Sequence, residues 1–160
     1  MNSKELFARD TTVIKKSNTL FLTEVSENWS IGNTANGGYS MTLAAKAMSE
    51  FLDHKDPLSI SAHYLDRVDF GATELHVTHL STSRSLSTAR VEFMQNNKIK
   101  IIFIGTFTDF SFKNDMNIYE REVPSFPDYD TCEVIPYKEG FNPKLDKNIE
   151  KAYSQDSLWW

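Results

Sequence analysis

One predicted helix dominates this chain, and it is formed by Asn36-Gly37-Gly38-Tyr39-Ser40-Met41-Thr42-Leu43-Ala44-Ala45-Lys46-Ala47-Met48-Ser49-Glu50-Phe51. At about 100° per residue, apolar side chains cover more than half of the helix circumference. They belong to Met41, Leu43, Ala44, Ala45, Ala47, Met48, Phe51 and Leu52. The rest of the chain must bury such a helix, and because the sequence after it is mostly strand-like, we predict that a sheet covers it.

Two glycines, Gly37 and Gly38, begin this helix. They let the backbone approach a bound group closely, and the N–H groups of a first helical turn have no partner within the helix. The start of the helix is therefore a candidate site for a carbonyl oxygen or an anion. The alternative, which the sequence leaves equally open, is that both glycines only permit tight packing of the helix against the sheet.

The segments around the helix predict an antiparallel sheet. Alternation of apolar and polar residues predicts one strand before the helix, at 19–25, and four after it, at 58–68, 73–81, 86–95 and 98–110. Asn96-Asn97 predicts a tight hairpin, because asparagine tolerates positive φ. One buried helix with antiparallel hairpins gives an α+β class and the hotdog fold, a curved antiparallel sheet wrapped around one central helix.

The domain boundary is predicted near residue 110. Residues 1–110 form the predicted hotdog domain, and 111–160 an extended linker or C-terminal strap, with a short helix at 148–155. Four of the five prolines fall in this second part. The apolar end Leu158-Trp159-Trp160 either docks on the core or begins a second hotdog that is missing here.

Composition restricts the function classes. The formal charge of −5 and the pI near 5.3 argue against a protein that binds nucleic acid through phosphate contacts. The single cysteine forms no internal disulfide, and the first residues lack the apolar core of a signal peptide, so we expect a cytoplasmic protein. The most apolar run, 99–107, is too short to cross a membrane, since a spanning helix needs roughly 20 residues.

Four segments, in this order and spacing, carry a resemblance to a known family: Trp29-Ser30-Ile31, Asn36-Gly37-Gly38-Tyr39, Pro57-Leu58-Ser59-Ile60-Ser61-Ala62-His63-Tyr64-Leu65 and Arg84-Ser85-Leu86-Ser87-Thr88-Ala89-Arg90-Val91. Together they resemble the first hotdog of the double-hotdog proteins of acyl-CoA thioesterase II type, in the thioesterase-like superfamily. The resemblance covers about residues 20–110. It implies hydrolysis of a fatty or related acyl-CoA thioester, with the acyl chain between helix and sheet and without metal or redox cofactor.

The chain departs from this family in ways that keep a second hypothesis open. Members often carry Arg-Pro where this chain has Asp66-Arg67, and a glycine where it has Ser83. The acid, threonine and glutamine assigned to catalysis in the family lie in the second hotdog and have no counterpart here. The alternative is a catalytically silent hotdog subunit that binds an acyl ligand or a partner domain. An acyl-thioester hydratase is disfavoured, because no histidine lies near the helix start.

Thioester hydrolysis needs a polarised carbonyl and an activated water. The candidate donors to the carbonyl are the backbone N–H groups of Gly38 and Tyr39, with Asn36 beside them. The candidate general base is Asp66, and His63 is a weaker one. For both, the ordinary structural alternatives are a surface turn and a strand histidine with a satisfied hydrogen bond.

Arg84 and Arg67 are candidates for binding the phosphates of coenzyme A, because a planar guanidinium suits phosphate oxygens. Solvated turn residues are the alternative. No metal site is expected: His76 and His79 are three residues apart in a strand and point to opposite faces. The acidic surroundings of Cys132 do not activate a thiol.

A lone hotdog leaves sheet edges and one flank of the helix without partners. We therefore expect a homodimer or a higher homo-oligomer, most simply a two-fold dimer that joins two sheets and forms a ligand site between subunits. A monomer is the alternative, in which residues 111–160 fold back over the exposed surface.

Overall fold

The computed structural model describes residues 2–111, 122, 125 and 127–154. Its two α-helices are Ser3–Asp10 (α1) and Gly37–Phe51 (α2). Its strands are Ile14–Lys15 (β1), Leu20–Val25 (β2), Ser30–Ile31 (β3), Thr34–Ala35 (β4), Asp56–Tyr64 (β5), Gly71–Thr82 (β6), Ser87–Gln95 (β7), Lys98–Thr108 (β8), Glu133–Val134 (β9) and Ala152–Tyr153 (β10). Short 3₁₀ turns occupy Glu27–Trp29, Tyr129–Thr131 and Lys144–Lys147. Among these residues, no helix is long and apolar enough to span a membrane.

The main sheet is antiparallel and has six strands in the order β1-β2-β6-β7-β8-β5. Helix α2 packs against it and contacts β2, β5, β6, β7 and β8. The largest fully buried side chains come from both layers: Phe21, Phe93, Phe103, Phe107, Leu43, Met48, Leu75, Ile101, Val25, Val77 and Val91. The predicted α+β hotdog fold, one helix wrapped by an antiparallel sheet, is therefore confirmed.

Several element boundaries follow the sequence prediction, and one differs for a clear reason. The hairpin at Asn96-Asn97 has φ values of 52° and 58°, as predicted. The strand predicted at 58–68 ends at Tyr64, because the N–H groups of Leu65 and Asp66 both donate to the Lys100 carbonyl, at 2.9 and 3.0 Å. Two donors at one acceptor end the regular ladder, and a loop follows to Phe70.

The N-terminal helix α1 was not predicted from the sequence. A capping box begins it: Asn2 accepts from the Glu5 N–H, and Glu5 accepts from the Asn2 N–H. The helix prediction at 148–155 was wrong in the described part, since Ala152–Tyr153 is a strand paired with Glu133–Val134. The end at Leu158-Trp159-Trp160 lies outside the described residues.

Candidate functional site

The first turn of α2 has two backbone donors to spare. Asn36 is the N-cap: its backbone is extended, and its side-chain oxygen accepts from the Tyr39 N–H at 3.1 Å. Its carbonyl accepts from the Ser40 N–H at 3.0 Å. Among the described residues, the N–H groups of Gly37 and Gly38 have no acceptor. They lie at the positive end of a 15-residue helix, so they form a ready-made binding point for a carbonyl oxygen or an anion.

The two glycines differ in what surrounds them. A Cβ on Gly37 would lie 2.7 Å from the Tyr64 hydroxyl oxygen, so this glycine makes room for the Tyr64 ring. A Cβ on Gly38 would meet only the Asn36 side-chain oxygen, at 3.1 Å, and Gly38 is exposed. Each of the two hypotheses for this glycine pair therefore fits one glycine. Packing against the sheet requires Gly37, whereas Gly38 leaves the helix start accessible.

Tyr39 anchors this turn instead of facing a ligand. Its N–H is already bonded to Asn36, which withdraws it as an oxyanion donor. Its buried hydroxyl donates to the Asp10 carbonyl at 2.6 Å and accepts from the Ser26 N–H at 3.1 Å. Burial raises the pKa of the Tyr39 hydroxyl. The ring also stacks on Trp29, with centroids 6.1 Å apart, so α1 and the 3₁₀ turn together fix the start of α2.

The Asp66 carboxylate is held by cations. Lys98 Nζ lies 2.8 Å from it and Lys100 Nζ 3.2 Å, and the Arg67 N–H donates to it at 2.8 Å. The bond from Lys98, then that from the Arg67 N–H and then that from Lys100 lower the pKa of Asp66 far below its ordinary value. A carboxylate so stabilised in its charged form accepts a proton poorly. The geometry therefore gives no support to Asp66 as a general base.

Asp66 also has a structural role. The Lys100 side chain is only 9% exposed, and it reaches Asp66 and, at 3.5 Å, Asp69. Within the same loop, the Val68 carbonyl accepts from the Ala35 N–H at 3.3 Å and from the Thr34 hydroxyl at 2.8 Å. Strand β4 leads directly into the N-cap of α2. The ion pairs of Lys100 therefore support the backbone that positions the helix start.

The two candidate phosphate ligands lie at different ends of α2. Arg67 is exposed in the loop that contacts β4, near the helix start. Arg84 is exposed in the turn between β6 and β7, which contacts His54 just beyond the helix end. Within the described part of the chain, neither guanidinium has a hydrogen-bond or ion-pair partner. The 15 residues of α2 span about 22 Å, so only an extended ligand can meet both Gly38 and Arg84 of one chain.

The histidines either contact polar side chains or lie exposed. His76 Nε2 lies 2.7 Å from Glu74 Oε2, and His79 Nε2 lies 2.7 Å from Thr82 Oγ1. His63 is exposed on β5. In the described residues, no group of three or more histidine, cysteine or carboxylate side chains could hold an ion.

Two grooves on the described surface lie away from the start of α2. One, of about 870 Å³, runs between the end of α1 and strands β2 and β6. The other, of about 360 Å³, lies along β2, β6 and β7. Neither is lined by Gly37 or Gly38.

A hotdog sheet around a helix with an open, glycine-rich start defines the class of protein, and comparison with known families defines it further. The family model for the acyl-CoA thioesterase N-terminal domain matches residues 25–109, which is more than half of the chain. The chain belongs to the acyl-CoA thioesterase N-terminal domain family. The match includes α2 and the strands from β5 to β8, whereas α1 lies outside it. No curated protein matches the chain.

Solved structures share the fold. A proposed thioesterase II from Thermobifida fusca YX has a TM-score of 0.86 and 20% identity, over 98% of this chain and 58% of that one. A conserved hot dog protein of unknown function from Alicyclobacillus acidocaldarius has a TM-score of 0.77 and 13% identity, over 89% and 52%. The acyl-CoA thioesterase II TesB2 from Mycobacterium marinum has a TM-score of 0.65 and 14% identity, over 81% and 52%. The chain thus spans little more than half the length of each of these proteins.

Proposed function

We propose that this protein binds and hydrolyses the thioester of a fatty or related acyl-CoA at the start of α2. The observation that carries the proposal is the pair of free N–H groups at Gly37 and Gly38, in a chain of the acyl-CoA thioesterase N-terminal domain family. As water attacks the thioester, the carbonyl oxygen becomes an oxyanion. Fixed N–H donors and the helix dipole stabilise that charge more in the transition state than in the substrate.

The donors are fixed before the substrate arrives. The Asn36 cap, the Tyr39 hydroxyl and the Lys100 ion pairs each hold a different side of the turn. The turn therefore does not reorganise during the reaction, and this preorganisation is the main source of electrostatic catalysis. Gly38 is the more accessible donor, and Gly37 is the one next to the Tyr64 hydroxyl.

The water-activating group comes, in this proposal, from a second copy of the chain. Strand β5, at the edge of the six-stranded sheet, has an outer side with no neighbouring strand among the described residues. A two-fold axis at this edge pairs β5 with itself in antiparallel fashion and turns the partner's α2 to run in the opposite direction.

The remaining parts of the proposal concern setting and ligands. We place the protein in the cytoplasm, because its single cysteine forms no internal disulfide. We assign it no nucleic-acid partner, on its net negative charge, and a reaction without metal or redox cofactor. The exposed guanidiniums of Arg84 and Arg67 are the proposed contacts to the phosphates of coenzyme A.

The test is hydrolysis of a short-to-long panel of acyl-CoA thioesters by the purified chain, followed by release of free thiol, with light scattering on the same sample. We expect turnover above the spontaneous rate and a mass of twice the chain mass of 18.4 kDa. Turnover by a clean monomer contradicts the shared site. No turnover by folded protein contradicts the hydrolase.

A second candidate function is an acyl-ligand-binding subunit without catalysis. One observation favours it: the candidate base Asp66 is held by Lys98 and Lys100. Binding of a non-hydrolysable acyl-CoA analogue by a protein that does not turn over any acyl-CoA would establish this function. Loss of that binding in Gly38→Pro would show that the site is still the start of α2.

A further inference from the structure

The turn between β6 and β7, residues 83–86, is held at three successive carbonyls; we call it the Arg84 turn. The Leu86 carbonyl accepts from the Ser83 N–H at 2.7 Å, and the Ser85 carbonyl accepts from the Thr108 hydroxyl at 2.9 Å. The Arg84 carbonyl lies 3.3 Å from His54 Nε2. The Arg84 guanidinium is exposed and has no partner in the described part of the chain. The backbone of the turn is thus fixed while its cation is free.

His54 belongs to a chain of side-chain hydrogen bonds that runs from His79 through Thr82 and Ser87. Thr82 Oγ1 donates to Ser87 Oγ at 3.3 Å, and Ser87 Oγ lies 2.6 Å from His54 Nδ1. His79 Nε2 lies 2.7 Å from Thr82 Oγ1. If Ser87 donates to Nδ1, the proton of His54 is on Nε2, where it donates to the Arg84 carbonyl. The Ser87 side chain is fully buried. The imidazole is thus held by Ser87 at Nδ1 and by the Arg84 carbonyl at Nε2.

The backbone that carries His54 is tied to α2. Lys55 Nζ donates to the carbonyls of Ser49, at 2.8 Å, and Leu52, at 2.5 Å, and the Ser49 hydroxyl donates to the Lys55 carbonyl at 3.0 Å. These bonds satisfy carbonyls at the C-terminus of the helix, where a cation is favoured. These bonds therefore fix His54 relative to α2, whose other end begins at Gly37.

We propose that His54 is a positioning residue that fixes the Arg84 turn, so that the Arg84 guanidinium binds a phosphate group of coenzyme A; this rests on the proposed function. A chain of net charge −5 needs a local, well-placed cation to hold an anion. A guanidinium on a fixed backbone loses less conformational freedom on binding than one on a free loop, and its planar donors match phosphate oxygens. His54 contributes by setting the backbone from which Arg84 extends.

Two substitutions at one position separate the two hydrogen bonds of His54. In His54→Gln the side-chain amide reaches the place of Nε2 and can donate to the Arg84 carbonyl. In His54→Asn the amide reaches only the place of Nδ1 and keeps the Ser87 contact alone. His76→Asn is the control, because the ring of His76 contacts Glu74 on its own strand.

The measurement is the Kd of the full chain for coenzyme A carrying a non-hydrolysable acyl group, and for the acyl-pantetheine with the same acyl group, which lacks the nucleotide phosphates. We expect Arg84→Ala to weaken coenzyme A binding about tenfold to a hundredfold, since hydrogen bonds to charged groups have that size. We expect His54→Asn to weaken it several-fold, and His54→Gln and His76→Asn to bind like the parent protein. All four variants should bind acyl-pantetheine with the same Kd. A variant that had only lost its folded structure would bind acyl-pantetheine more weakly as well.

The outcomes separate this inference from the proposed function. If Arg84→Ala weakens coenzyme A binding and His54→Asn does not, or if both weaken acyl-pantetheine equally, the positioning role is overturned and the thioesterase proposal stands. If the parent protein hydrolyses acyl-pantetheine as well as acyl-CoA, the phosphate contact is overturned while hydrolysis stands. If it binds neither compound, both proposals fall.

Discussion

The two ends of α2 differ in whether their backbone groups have hydrogen-bond partners. At the C-terminal end, the Met48 carbonyl accepts from the Leu52 N–H, and Lys55 binds the carbonyls of Ser49 and Leu52. At the N-terminal end, the N–H groups of Gly37 and Gly38 have no acceptor in the described part of the chain. Orphan groups at helix ends are normally capped or bound, so a helix capped at one end and open at the other marks the open end as a binding point.

The difference teaches where stability and function lie along one element. The hydrogen bonds of Lys55 at the closed end stabilise the chain, and with the bond of His54 they fix the Arg84 turn relative to the helix. The open end has a cap, Asn36, that satisfies the third N–H of the turn and leaves the first two free. Substitutions at four positions would break or sharpen this contrast.

The largest expected effect is at the open end. Gly38→Pro removes one donor N–H, and because the preceding residue is a glycine without Cβ, the steric restriction on the residue before proline is relieved. We expect kcat/KM for acyl-CoA hydrolysis to fall about 10²–10³-fold, the usual loss for one oxyanion-hole donor. The control is Gly38→Ala, which adds a Cβ in the same place and keeps the N–H. Equal activity of the two variants would contradict the donor role.

Asn36 tests whether the cap serves stability or the site. Asn36→Ala leaves the Tyr39 N–H without its acceptor, so the free energy of unfolding should fall by about 1 kcal/mol, measured by urea denaturation. Asn36→Asp keeps a capping oxygen and should retain that stability, yet its charge repels an oxyanion at the adjacent N–H groups. We expect its kcat/KM to fall below that of the parent protein. Full activity in Asn36→Asp would argue that no negative charge develops there.

At the closed end, Lys55→Met keeps much of the aliphatic stem and removes the two bonds to helix carbonyls. The exposed location limits the cost, and we expect the free energy of unfolding to fall by about 0.5 kcal/mol. Hydrogen exchange should quicken at the amides near Leu52 and stay unchanged at those of Gly37 and Gly38. Faster exchange at both ends would mean that the ends of the helix are not independent.

The smallest effect concerns acid. In the folded protein Lys98, the Arg67 N–H and Lys100 hold the pKa of Asp66 below its ordinary value of 3.8. As pH falls below about 4, the unfolded chain takes up the proton first, so this contribution to stability is present at neutral pH and lost on acidification. Asp66→Asn should have a lower free energy of unfolding than the parent protein at neutral pH. The difference between the two should shrink as the pH falls below about 4. A constant difference would contradict the ion pairs.

The parts that could be predicted from the sequence depend on local signals. The circumference of α2, the Asn36 cap and the positive φ at Asn96-Asn97 are encoded within a few residues of where they act. The sequence could not distinguish the roles of Gly37 and Gly38. What distinguishes them is Tyr64, which lies on a distant strand and contacts only Gly37. The fate of Asp66 also depends on a distant contact, since Lys98 and Lys100 approach it only after β8 pairs with β5.

Two errors have the same kind of cause. Helix α1 does carry a local signal, the Asn2 and Glu5 capping box, but its docking depends on Asp10, whose carboxylate accepts from Asn28 and Trp29. The helix prediction at 148–155 failed because Ala152–Tyr153 pairs with Glu133–Val134, and no local pattern reports a pairing partner that far away.

The most direct test of the central claim is an NMR titration of the ¹⁵N-labelled protein with a non-hydrolysable acyl-CoA analogue that keeps the carbonyl. Binding of the carbonyl oxygen at the open end of α2 predicts downfield shifts of the Gly37 and Gly38 amide protons, saturating with the analogue, and slower exchange of both with water. The amides near Leu52 at the closed end serve as the internal reference and should not shift. Saturable binding that leaves the Gly37 and Gly38 amides unchanged would contradict the account.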